Sequence, residues 1–146
     1  MKKILTLILL AGFMQAAHAA DSTHLTCTGY TTNSKEGQKV GITVQFSESR
    51  GEVINNEQTR KETLSVVWAN KLYQDTVVQG EDDDGYSGAV ILSETGKKNI
   101  FFVGSYSYDF KTAKLTLKGK INLEPENAKS TLQPINTSLK CVDISS

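Results

Sequence analysis

Ala113, Leu115, Leu117, Ile121 and Leu123 alternate with Lys114, Thr116, Lys118, Lys120 and Asn122. A period of two gives a strand one dry face and one wet face. Val40, Ile42, Val44 and Phe46 repeat the pattern against Gly41, Thr43, Gln45 and Ser47. Tyr86, Gly88, Val90 and Leu92 give a third such run, and residues 99–108 a fourth, aromatic one. Turn-forming clusters lie between them at 34–37, 48–51, 82–85, 94–97 and 109–112. Short strands punctuated at this spacing read as antiparallel hairpins. The pattern predicts about eight to ten strands, near 23–31, 39–47, 52–55, 63–69, 72–79, 86–93, 99–108, 113–123 and 131–143, the last open to a split at Pro134.

Residues 56–73 also carry a helical reading, because Leu64, Val67, Trp68 and Leu72 recur at helical spacing behind Asn56, a residue suited to an N-cap. The β-branched pair Val66-Val67 and the turn-like Asn70-Lys71 favour two strands instead. With no crossover helix elsewhere, a parallel sheet is excluded. The expected fold is all-β: an antiparallel meander closing into a small barrel or a flattened sandwich.

The first twenty residues have the three-part layout of a secretory signal peptide. Lys2 and Lys3 precede the apolar run 4–13, and Ala17 and Ala19 supply the small side chains that a signal peptidase requires. Cleavage is expected next to Ala20, leaving one domain over 21–146, in the periplasm or outside the cell. The apolar run is about half of the roughly 20 residues needed to span a bilayer, so no membrane anchor is expected after cleavage. Two cysteines remain, Cys27 and Cys141. In an oxidising compartment an even count favours a bridge. It would join the first strand to the last, with Leu25 and Leu139 as apolar neighbours on the same faces, so the bridge is expected to point inward. By chain entropy such a bridge restricts the unfolded chain by roughly 5 kcal/mol at most.

The processed chain carries 14 basic and 16 acidic side chains, so nonspecific attraction to nucleic acid or anionic membrane is not expected. The charges are unevenly placed: residues 21–95 hold 6 basic and 12 acidic groups, residues 96–146 hold 8 and 4. Catalytic signatures are absent from the sequence. The one histidine left after processing, His24, reads as a surface or strand-end residue, and no Gly-x-Ser-x-Gly elbow or Ser-x-x-Lys pair occurs. The acidic residues cluster in turns, which points to solvated charge. The run 81–85 fails as a calcium loop, since Gly80 and Ile91 stand where its first and last carboxylate ligands belong. No metal or cofactor is implied.

What remains is apolar surplus. Ile100-Phe101-Phe102-Val103 is apolar on both faces of its strand, as are Val66-Val67, Val77-Val78 and Val90-Ile91. In a one-layer barrel the outward half must meet water, a covering segment or a partner. Extrapolating the period from Tyr106 and Tyr108 puts Ile100 and Phe102 in the core and leaves Phe101 and Val103 as the expected partner surface.

Residues 25–29 and 138–141 bracket the domain with cysteines. That plan resembles the membrane-bound and periplasmic C-type lysozyme inhibitors, small β-barrels with a terminal disulfide that insert a Ser-Gly-x-Lys/Arg-Tyr loop into the lysozyme cleft. Ser87-Gly88-Ala89 matches the start of that motif, whereas Val90 and Ile91 replace its basic and tyrosine positions. The resemblance therefore adds Ser87 and Gly88 to the candidate partner surface. The expected function is that of an exported binding or interaction protein without catalytic activity, its partner an unknown protein. One alternative is a lipocalin-like carrier of a small apolar ligand, whose cavity would be lined by Trp68, Phe102 and Tyr106. The other is a lysozyme-inhibitor-like protein.

Overall fold

A computed structural model describes residues 22–82, 84–94 and 99–144, without the side chains of 58–60 and 76–82. The signal-peptide reading, most of the turn at 94–97 and the side chains of Val77 and Val78 therefore lie outside the described residues. Eight strands follow one another: β1 (Ser22–Thr32), β2 (Lys39–Ile54), β3 (Glu57–Trp68), β4 (Lys71–Asp82), β5 (Gly85–Glu94), β6 (Ile100–Asp109), β7 (Lys114–Ile121) and β8 (Gln133–Asp143). Each pairs antiparallel with the next, and β8 returns to β1 to close a barrel. The sandwich alternative falls away with that closure.

The helical reading of 56–73 fails at Ala69 and Asn70, whose positive φ values of 48° and 62° make the two-residue turn between β3 and β4. The turn expected at 48–51 is also absent. Ser49 and Arg50 stay in the ladder opposite Lys61 and Arg60, and a bulge between Arg50 and Val53 carries β2 on to Ile54. The chain reverses at Asn55 and Asn56, with φ of 52° and 62°. Asparagine tolerates this left-handed region better than other side chains do, so the pair ends one long strand where a turn and a short strand had been expected.

Closure rests on a short seam. Only four residue pairs join β1 to β8, Leu25 with Asp143 through Thr28 with Lys140, and Cys27 stands directly opposite Cys141 among them. The two form the expected disulfide, and it faces the interior. Beyond the ladder, side chains hold the strands together. Thr137 Oγ1 donates to the Tyr30 carbonyl at 2.6 Å, and Gln133 Nε2 donates to that of Thr32 at 2.8 Å.

Side chains fill the barrel, as eight strands allow. Phe46 packs between Tyr86 and Tyr106, with ring centroids 5.2 and 5.8 Å away, and Phe110 caps that end edge-on against Tyr86. At the other end Phe101 lies against Tyr73 and Trp68, at 5.1 and 5.4 Å. The Trp68 indole donates to the Leu123 carbonyl at 3.0 Å, tying the β7–β8 connection across the opening. Between β6 and β7 the paired Gly104 and Gly119 leave no room for a side chain: a Cβ on Gly104 would collide with the Lys118 carbonyl oxygen.

Candidate interaction surface

Phe101 is not exposed. A bulge between Leu92 and Ser93 pairs Phe102 with Leu92 and Ile100 with Ser93, leaving Phe101 as the extra residue. An inserted residue breaks the period of two, so Phe101 and Phe102 both turn inward, at 0 % and 1 % exposure, and Ile100 is turned out. The expected patch of Phe101 and Val103 is thus corrected: Phe101 belongs to the core. Val103 keeps its outward place opposite Ile91, half-buried.

Ser87 and Gly88 lie inside the sheet, between Gly80 and Gln79 on one side and Ser107 and Tyr106 on the other. Ser87 is exposed on the outer face, but the pair is held in a ladder on both sides and does not form an inserting loop. Trp68, Phe102 and Tyr106 are packing residues, with Phe102 and Tyr106 fully buried in the core. His24 is exposed on β1, opposite Ser47.

Among the described residues, the β2–β3 hairpin runs past the strands on either side of it. Among the described residues β2 pairs with β1 as far as Ser49, opposite Ser22 where the described chain begins, and β3 pairs with β4 as far as Glu62. Beyond those points the hairpin pairs only with itself among the described residues. Its tip carries Val53 and Ile54 at 62 % and 56 % exposure, just before the Asn55-Asn56 turn. Sequence reasoning missed this arm. The usable signal was that asparagine pair with Val53 and Ile54 before it, which fits a hairpin turn better than the residues at 48–51 do.

The root of the arm is polar and buried. Glu48 and Glu62 are directly opposed across β2 and β3 and point into the barrel at 2 % and 1 % exposure. Glu48 was expected in a solvated turn, although the alternation Val44-Phe46-Glu48, like Glu62-Leu64-Val66 on β3, places both carboxylates on the inner face. Arg50 Nε donates to Glu48 Oε1 at 3.2 Å, and the Tyr106 hydroxyl donates to Glu62 Oε2 at 3.5 Å. The Tyr106–Glu62 hydrogen bond links the base of the hairpin to β6. The two carboxylates thus face each other on the inner wall of the barrel, at the root of the hairpin.

Burial first, then the Glu62 carboxylate and its hydrogen bond, push the Tyr106 phenol far above its ordinary range. Burial also raises Tyr73, helped by Glu126 and Glu94, and Tyr108, helped by Asp143 and Asp109. In each case the folded form holds its proton at a pH where the unfolded chain, titrating near 10, has lost it. The stabilisation is therefore whole below about pH 10 and drains away as pH rises further. Phenolate absorbance should show Tyr73 and Tyr108 ionising above the ordinary tyrosine range and Tyr106 highest of the three, in step with unfolding, with a smaller cooperative step in Tyr106→Phe. Tyr73, Tyr106 and Tyr108 titrating near pH 10 in the folded protein would contradict the burial.

Comparison with protein-family models, curated proteins and solved structures finds no match. The functional reading therefore rests on this molecule's own geometry.

Proposed function

We propose that this chain is an exported, non-catalytic interaction protein that presents the β2–β3 hairpin to a partner protein from a solid, disulfide-closed barrel. One observation carries the reading: the hairpin runs past its neighbouring strands with an apolar tip at Val53 and Ile54. An open strand edge recognises a partner by adding to its sheet, main-chain hydrogen bonds giving affinity and side-chain pockets specificity. The packed interior supports the same reading over the carrier, because Phe46, Phe101, Phe102, Tyr86 and Tyr106 occupy the space that a ligand would need. Export is supported by the layout of residues 1–20 and fits the Cys27–Cys141 bridge.

A photo-crosslinking residue at Ile54 tests the proposal, with Lys129 of the β7–β8 connection as the control site. In producing cells the Ile54 probe is expected to give a discrete adduct with one envelope or extracellular protein, and the Lys129 probe none. The intact mass of the same protein should begin at Ala20 or Asp21. Full-length chain retained in the cytoplasm overturns export, and the absence of an Ile54-specific adduct overturns the role of the arm.

A further inference from the structure

The charge asymmetry along the chain becomes a surface asymmetry in the barrel. β7 turns Leu115, Leu117 and Ile121 inward, so Lys114, Thr116, Lys118 and Lys120 face out. Lys140 of β8 stands opposite Lys114 and adds a fourth cation. All four lysines are exposed, and among the described residues none has a carboxylate within 4.0 Å. Asp109 stands directly opposite Lys114 on β6, and its carboxylate accepts from the Lys111 and Thr112 amides of its own turn. Thr116 and Ser138 share a hydrogen bond of 3.3 Å between the lysine rows.

The shape of this face restricts what it can hold. The outside of a barrel is convex, so it does not enclose a small anion or wrap a polymer strand. It meets a plane along one strand, and three of the four lysines lie on the central strand β7. The face has no arginine fork for phosphate or base edges and no ring for stacking, the features that nucleic acid selects. Exposed Val142 and Ile100 sit on the flanking strands β8 and β6. Lysines with aliphatic flanks suit the headgroup region of a negatively charged bilayer. The geometry points to an anionic lipid surface as the occupant of the β6–β8 face. Asp109 offsets part of the charge at the Lys114 end and leaves the Lys118 and Lys120 end cationic, while acidic groups more than about 8 Å away are largely screened at physiological ionic strength. This inference is independent of the hairpin reading.

The test uses the processed chain, isolated with its bridge intact, in vesicle co-sedimentation. Binding is expected to vesicles containing phosphatidylglycerol and not to pure phosphatidylcholine, and to fall as salt rises. Each lysine is expected to contribute roughly fivefold in partitioning. A variant combining Lys114→Gln, Lys118→Gln, Lys120→Gln and Lys140→Gln should therefore lose most of the binding while keeping its melting temperature. A second variant, combining Lys35→Gln, Lys39→Gln, Lys61→Gln and Lys129→Gln, makes the same change in net charge and should retain it. Equal losses in the two variants, equal binding to both vesicle types, or binding to duplex DNA in preference to either would overturn the proposal. None of those outcomes touches the crosslinking test of the hairpin.

Discussion

Phe101→Ala is expected to destabilise the protein by about 3–5 kcal/mol, as much as Phe102→Ala, through lost burial and the cavity left behind. The reason is the bulge in β6. It turns two consecutive aromatic side chains into the same core, where Phe101 fills the space between Tyr73 and Trp68. Ile100→Ser, one residue earlier and facing out, should cost less than about 1 kcal/mol, as surface substitutions usually do. Thermal melts of the three variants decide the matter. A severe loss for Phe102→Ala beside a near-neutral Phe101→Ala would restore a strand of unbroken period and place Phe101 outside.

Cys27→Ser is the second large effect, expected to cost about 2–5 kcal/mol. The bridge spans a sequence separation of 114, and it lies within the four-pair ladder that closes the barrel. Its loss therefore both releases the unfolded chain and weakens the shortest seam in the sheet. Hydrogen exchange should show the damage first in β1 and β8, with β5 to β7 protected longest. Reducing the wild type should reproduce the variant's melting temperature. Two titratable thiols in the native, unreduced protein would contradict the bridge.

Much of this architecture is legible in the sequence. Strict alternation in 39–47, 86–93 and 113–123 locates three strands and assigns their faces, because a period of two admits one phase. Cys27 and Cys141, near the two ends of the domain, bring the first and last strands together. The missed features share a cause: local composition was silent about phase or pointed the wrong way. Four apolar residues in a row at 100–103 give no alternation, so nothing marks Phe101 as the inserted one. The polar stretch at 48–51 has the composition of a turn, yet its backbone is paired with β3. Glu48 and Glu62 look solvated by type and are buried by position. The long hairpin follows from those last two errors, since a strand thought to end near Ser47 cannot be seen to reach past its neighbours.

The central claim is that the barrel is solid and works from its outside. Native mass spectrometry of the processed protein, released gently from the compartment in which it accumulates, tests this most directly. The account predicts the mass of the bare chain, two hydrogens lighter than the reduced form, with nothing recovered on solvent extraction. A stoichiometric apolar molecule travelling with the folded protein and lost on unfolding would contradict it and make the barrel a carrier.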